Sequence, residues 1–113
     1  MPTSIINLPT VLDRVQNDTA LLVELLHDFE KDFKVKRKAI DQALARQEFE
    51  KMQEAVHFLK GAAGNLAADP IFNSLMIVEN LIKHRDGEMI REVLVDIDRQ
   101  FLELQEFIVK FKG

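Results

Sequence analysis

The chain of 113 residues contains no cysteine and no long apolar run. Without cysteine, neither a disulfide framework nor a thiolate zinc site can form, which fits a reducing compartment without requiring one. No stretch approaches the roughly 18 uninterrupted apolar residues of a membrane helix, and no charged region followed by an apolar run marks the amino terminus. These absences predict a soluble cytoplasmic protein with no membrane partner.

An excess of charge of one sign is also lacking. The net charge is −4, from 15 basic and 19 acidic residues that are scattered along the chain, so no basic face indicates nucleic acid. There is no glycine-rich phosphate loop and no room for a nucleotide-binding kinase domain, so ATP is not expected to bind. With 47% apolar residues, residues 1–113 should form a single domain, and we expect a monomer.

Helical periodicity runs along nearly the whole chain, without sustained strand alternation or an internal repeat. Pro9, Asp18 and Pro70 are suited to helix starts, and Arg85-Asp86-Gly87 forms a turn. The predicted helices span 8–15, 19–46, 48–67 and 69–84, followed by a last helix of about 24 residues. These helices predict an all-α fold, an antiparallel up-down-up-down four-helix bundle with a short extra N-terminal helix.

Each long helix carries an apolar stripe that should face the core. The stripe of the helix over 19–46 comprises Leu22, Leu25, Phe29, Phe33, Ile40 and Leu44. In the next helix it comprises Phe49, Met52, Val56, Leu59, Ala63 and Leu66, and in the helix after that Ile71, Leu75, Val78 and Ile82. In the last helix it comprises Ile90, Val93, Leu94, Ile97, Phe101, Leu104 and Ile108. Most of the eight phenylalanines should therefore be buried.

The helix over 48–67 contains a histidine with two glycines beside it. At about 100° per residue, His57 lies roughly 130° from the centre of the apolar stripe, with Gly61 and Gly64 close to it. Each glycine costs a helix interior about 0.5 to 1 kcal/mol relative to alanine and removes a side chain that would cover the imidazole. Lys60 follows His57 by three residues, so its ammonium can cover the space just outside the ring. A partner should therefore reach His57.

The residues His57, Leu59, Lys60, Gly61 and Gly64 resemble the signature of histidine-containing phosphotransfer domains, His-x-Leu-Lys-Gly-x-x-Gly. The resemblance covers most of the chain, because the segment 21–29 looks like the preceding helix of that family. Downstream, Val78-Glu79 and the turn at 85–87 are similar to its Leu-Glu and Arg-x-Gly-Asp landmarks. The chain departs from the family at Ala67, where a third glycine is usual, and in the order of Asp86 and Gly87.

This resemblance implies that His57 accepts a phosphoryl group from the aspartate of one receiver domain and passes it to another. The expected partners are response-regulator receiver domains or a hybrid histidine kinase, and Mg²⁺ would belong to the receiver. No cofactor and no kinase activity of its own are expected. A neutral imidazole is already a nucleophile at cytoplasmic pH and needs no activating base. Lys60 would stabilise the charge of the phosphoryl group.

Helix geometry adds Glu79 to the candidate site. Glu79 lies roughly 70° off the inward stripe of its helix, on a flank that could face His57. A carboxylate there could accept a proton from Nδ1, hold the ring and leave Nε2 unprotonated. Glu79 also matches a glutamate that phosphotransfer domains of chemotaxis kinases carry at this position. Lys83, one turn on, could add charge for the phosphoryl group.

The partner-binding surface is expected to include Phe58, Gly61, Gly64, Ala68 and Lys83. Phe58 falls on the outward side of its helix near His57, so its ring could contact a partner helix. His27 and His84 lack neighbouring glycines and lysine in this pattern and are predicted to be ordinary surface residues.

Two other functions are open on the residues alone. The pairs Glu24-His27 and Glu54-His57 have the Glu-x-x-His spacing of di-iron four-helix bundles. Both glutamates, however, project roughly opposite their apolar stripes, whereas bridged metals lie inside a bundle, so no metal site is expected. The other alternative is a helical adaptor that binds receiver domains or a kinase without being phosphorylated.

Overall fold

The computed structural model describes residues 4–111, which form five α-helices. The helices are α1 (Leu8–Arg14), α2 (Thr19–Ala45), α3 (Phe49–Asn65), α4 (Asp69–Lys83) and α5 (Gly87–Lys110). Over this range no residue lies in a strand, which confirms the predicted all-α class. Each predicted helix boundary lies within two residues of the observed one.

Short polar side chains start three of the helices. Asp18 accepts a hydrogen bond from the backbone N–H of Leu21 at 3.0 Å, as its predicted capping role requires. Asp86, in the predicted turn, caps α5 through the N–H of Met89 at 3.1 Å. Asn7 caps α1 in the same way, and proline occupies the first turns of α1 and α4. The beginnings of these helices therefore follow from local side-chain chemistry.

The ends of the first four helices share a left-handed residue that is not glycine. Gln47, Ala67 and Arg85 have φ of 56°, 54° and 53°, and Asn17 has 61°. After α2, for example, the N–H of Glu48 donates to the carbonyl of Ala43 at 2.8 Å. This is the 6→1 bond of a Schellman motif, in which glycine is the usual left-handed residue. The turns are thus formed by side-chain-bearing residues in a conformation that costs them energy.

One hydrophobic core joins all five helices. It contains the predicted stripes of α3, α4 and α5, except that Phe49 and Val93 are only partly buried at its margin. Along α2 one prediction is wrong: Leu25 is 37% exposed, and Leu26 is buried in its place. Three of the phenylalanines are fully in the core, namely Phe29, Phe33 and Phe101. Of the other five, Phe58 is exposed, and the remaining four are half-buried.

Contacts between α2 and α5 pair an aromatic stack with an ion pair. The rings of Phe33 and Phe101 stack with centroids 3.9 Å apart. Four residues further along α2, Arg37 donates from Nε to Asp98 at 2.8 Å and from Nη2 to the same carboxylate at 3.1 Å. The later residue of α2 therefore meets the earlier residue of α5, so these two helices run in opposite directions.

The short α1 is tied to the carboxyl end of α3. Arg14 donates from Nη1 to the carbonyl of Gly64 at 2.6 Å and to that of Asn65 at 3.2 Å. Asn7 N–H also donates to the carbonyl of Ala67 at 2.8 Å. A cation at the carbonyls of a helix end is favourable both as a hydrogen-bond donor and through its interaction with the helix dipole. None of the helices within residues 4–111 combines the length and the apolarity needed to span a membrane.

Candidate functional site

The imidazole of His57 lies on the outer surface of α3. Its side chain is 71% exposed, while its neighbours Val56 and Leu59 are completely buried. The helical stripe therefore anchors the backbone of α3 in the core and turns His57 outward. Most of the ring is open to an approaching partner.

Glu79 of α4 lies beside His57 and is the centre of a small polar cluster. Its Oε2 lies 3.3 Å from Nδ1 of His57 and accepts a hydrogen bond of 2.7 Å from Nε2 of Gln53. Its Oε1 accepts from Nζ of Lys60 at 2.5 Å. The Glu79 side chain is only 14% exposed. One carboxylate thus binds three groups of the neighbouring helix.

The spacing of the three donors explains why they converge. Gln53, His57 and Lys60 follow one another at intervals of four and three residues, which places them on one flank of α3. That flank faces α4, and Glu79 is the carboxylate that α4 presents there. The predicted direction of Glu79 toward His57 therefore agrees with the contacts of the structure.

Two opposing effects act on the pKa of Glu79. Burial alone raises the pKa of this carboxyl, but hydrogen bonds from Lys60, Gln53 and His57 outweigh burial, and the pKa is lowered from its ordinary value of 4.5. Glu79 is therefore an ionised carboxylate at neutral pH and can only accept hydrogen bonds. Neutral His57 can bond to it only as the tautomer with the proton on Nδ1, which leaves the lone pair on Nε2.

Lys60 is placed differently from the sequence expectation. Its side chain is 23% exposed, and its ammonium is bound to Glu79 instead of lying over the outside of the imidazole ring. The reason is the carboxylate on α4, because a partly buried ammonium is stabilised by an anion within hydrogen-bond distance. Gln53 was not among the predicted site residues. Its position four residues before His57 places it on the same flank of α3, but this spacing indicates a site residue only once Glu79 is known to lie opposite that flank.

The two glycines of α3 have different surroundings. No atom outside the local helix backbone lies within 4 Å of a Cβ built on Gly61, so that position is open. A Cβ on Gly64 would lie 3.3 Å from the ring of Phe72. Gly64 therefore allows close packing of α3 against α4, and Gly61 is the glycine that leaves space beside His57.

The remaining predicted contact residues divide into exposed and buried ones. Phe58 is 46% exposed, with Nζ of Lys36 lying 4.7 Å from its ring centroid, and Lys83 is exposed at the end of α4. Ala68 is completely buried, so its predicted contact with a partner is wrong. Ala68 is the residue before α4 and packs into the core, which leaves no surface for a partner.

The di-iron alternative requires ligands inside the bundle, and the structure does not place them there. Glu24, His27, Glu54 and His57 are all exposed, because each projects away from the apolar stripe of its helix. Within residues 4–111, no group of three or more histidine, aspartate or glutamate side chains is arranged to hold a metal ion.

A comparison with protein families identifies the class of this chain. The family model of the Hpt domain matches residues 24–108, and the chain therefore belongs to the Hpt domain family. Hpt domains carry out histidine phosphotransfer in phosphorelays, where they interact with receiver domains and histidine kinases. The comparisons found no match among curated proteins and none among solved structures.

Proposed function

We propose that this protein accepts a phosphoryl group on Nε2 of His57 from the aspartyl phosphate of one receiver domain and transfers it to the aspartate of another. The observation that most supports this proposal is the state of His57. Its side chain is 71% exposed while Nδ1 faces the carboxylate of Glu79. A nucleophilic nitrogen pointing outward suits a reaction whose other half arrives on a second protein.

The transfer balances without a further reactant. The lone pair of Nε2 attacks the phosphorus of the aspartyl phosphate, and a bond forms between nitrogen and phosphorus. The bond between phosphorus and the aspartate oxygen breaks, and its electron pair returns to the aspartate carboxylate. The reverse sequence transfers the phosphoryl group to the second receiver. In-line positioning and charge neutralisation provide most of the rate in such transfers, and the receiver domain would supply Mg²⁺.

Within this proposal, Lys60 and Lys83 provide positive charge near the phosphoryl group. Lys60 acts from its position on Glu79, where it also holds that carboxylate. Lys83 is exposed one turn beyond Glu79 and forms no ion pair within residues 4–111. The exposed ring of Phe58 would contact the receiver. The open space at Gly61 would let the receiver approach the imidazole.

We further propose that residues 1–113 are one domain that acts as a cytoplasmic monomer and has no kinase activity of its own. The hydrophobic core shared by all five helices supports the single domain. Without kinase activity of its own, the domain would receive the phosphoryl group on His57 from a donor outside residues 1–113.

The proposal is tested by phosphotransfer from a phosphorylated receiver domain in the presence of Mg²⁺. The protein should acquire a label that is labile in acid and stable in base, and His57→Gln should abolish this label. Because His57 is exposed, His57→Gln should leave the free energy of unfolding within about 0.5 kcal/mol of the original value, as measured by urea denaturation.

The other two histidines provide matched controls. His27 and His84 are also exposed on helix surfaces or ends, and His27→Gln and His84→Gln should label at the original rate. Normal labelling of His57→Gln would refute the assignment of the site. If the receiver binds and no histidine is ever labelled, the protein is instead an adaptor.

A further inference from the structure

Gln53 lies one turn before His57 and shares an acceptor atom with it. Nε2 of Gln53 donates to Oε2 of Glu79 at 2.7 Å, and the same oxygen lies 3.3 Å from Nδ1 of His57. Gln53 has no contact with the reacting nitrogen Nε2, which is on the other side of the ring. Any influence of Gln53 on the reaction therefore passes through Glu79.

The carboxylate of Glu79 is held at both of its oxygens. Lys60 binds Oε1 at 2.5 Å, and Gln53 binds Oε2 from the opposite end of the cluster. A carboxylate bonded at one oxygen alone can rotate about its last side-chain torsion, which has a broad energy minimum. With donors at both oxygens, the rotation that would remove Oε2 from His57 breaks a hydrogen bond.

We propose that Gln53 is a positioning residue, which fixes Oε2 of Glu79 at Nδ1 of His57 and thereby keeps Nε2 as the phosphoryl-accepting nitrogen. This inference rests on the proposed function of His57 and extends it to the residue that selects the reactive nitrogen. The protonated nitrogen of a neutral imidazole is determined by the hydrogen bond that the ring makes. Loss of that bond allows the tautomer with the proton on Nε2, which has no lone pair there to attack phosphorus.

The size of the effect follows from the value of one hydrogen bond. A typical intramolecular hydrogen bond changes an equilibrium by about threefold to tenfold. The tautomer equilibrium of His57 should shift by a factor of this size when Gln53 no longer fixes Glu79. The transfer rate should fall in proportion to the fraction of His57 that loses its lone pair on Nε2, while receiver affinity should stay the same.

The test replaces Gln53 by leucine, which has a similar size and no amide. Two quantities are measured on the full chain: the rate of phosphoryl transfer from a phosphorylated receiver, and the ¹⁵N chemical shifts of both ring nitrogens of His57 in the phosphate-free protein. For Gln53→Leu we expect transfer slowed by up to about tenfold and ring shifts moved toward a mixture of tautomers. A purely structural role of Gln53 would not change the ring shifts.

Gln105 offers a matched control. Its Nε2 donates to Oε2 of Glu30 at 3.0 Å, in a partly buried bond between α5 and α2. Gln105→Leu removes the same kind of bond away from His57 and should change neither quantity. Unchanged ring shifts and an unchanged rate in Gln53→Leu, or an equal loss of rate in both variants, would overturn the role of Gln53. If even the original protein is not labelled, the proposed function fails, and the ring shifts alone decide whether Gln53 positions the imidazole.

Discussion

At the scale of single residues, Gly61 is a glycine that the fold does not require. It lies inside α3, and a side chain there would have open space around it. A helix-interior glycine lowers stability relative to alanine by about 0.5 to 1 kcal/mol, and no packing contact at Gly61 offsets this cost. Gly64 differs, because its missing side chain makes room for Phe72. A requirement of partner binding explains Gly61 better than a requirement of packing does.

Replacing Gly61 by alanine should therefore raise the free energy of unfolding by about 0.5 to 1 kcal/mol, as measured by urea denaturation. Gly64→Ala should give a smaller gain or a loss, because Phe72 must move to admit the new methyl group. Gly61→Leu should remain folded but slow transfer from a receiver, since it fills the space beside His57. Transfer at the original rate in Gly61→Leu would show that this space is not used.

The lowered pKa of Glu79 makes a pH-dependent contribution to stability. A carboxyl whose pKa is lower in the folded chain than its ordinary 4.5 stabilises the fold above that pH, and the contribution is lost as pH falls through the lowered value. Glu79→Gln should therefore reduce the free energy of unfolding by about 1 to 3 kcal/mol at pH 7. The difference from the original protein should shrink steadily below pH 4.5, in urea titrations at several pH values.

Glu54 provides the comparison for this prediction. It is exposed on α3, the helix whose side chains donate to Glu79, and it forms no ion pair within residues 4–111. The effect of Glu54→Gln on unfolding should stay nearly constant over the same pH range. A Glu79→Gln difference that does not change with pH would mean that the charge of Glu79 does not stabilise the fold.

The candidate site shows how far single residues can be predicted. Projection of the helices gave the outward direction of His57 and the approach of Glu79, because both depend on helical period alone. The place of the Lys60 ammonium and the part of Gln53 depend on which side chains α4 presents at that level. The periodicity of one helix does not predict which side chains of the neighbouring helix lie opposite it. Ala68 was misplaced because the end of one helix and the start of the next bury it together.

At the scale of helices, the starts were easier to predict than the ends. Asp18, Pro9 and Pro70 begin helices through known local chemistry. The ends have no glycine in the left-handed position, so the strongest sequence signal for a helix end was missing. The predicted helices accordingly ran one or two residues too far at their carboxyl ends.

Two of these left-handed residues should respond differently to glycine. Gln47 is exposed with φ of 56°, and Gln47→Gly should stabilise the fold by about 0.5 to 1 kcal/mol through relief of the backbone conformation. Ala67 has a similar φ of 54° but is buried, with 2% of its surface exposed. Ala67→Gly should change stability little, because the lost methyl burial of about 0.8 kcal/mol offsets the same relief.

Thermal or urea unfolding of the two variants side by side measures this contrast. Equal stabilisation of both would show that the Ala67 methyl group contributes nothing to the core. A loss of stability in Gln47→Gly would mean that the left-handed conformation is not strained there.

At the scale of the whole molecule, the apolar period predicted the fold class and nearly all of the core. Its error was at Leu25, in the 27-residue helix α2. Leu22, Leu25 and Leu26 all fit an inward stripe at spacings of three or four, and packing against the other helices decides among them. The packing partner of each stripe depends on the assembled bundle and cannot be predicted from the sequence of one helix alone.

The division of the cluster between two helices has a further consequence. The imidazole is carried by α3 and its carboxylate by α4, so their separation of 3.3 Å measures how these two helices sit against each other. A substitution in the shared core that slides one helix by about an ångström would weaken the contact between His57 and Glu79 and slow phosphoryl transfer, while the protein remains fully folded. Signalling output would then decline before any loss of abundance, and variants far from the surface could weaken a pathway without altering the amount of protein in the cell.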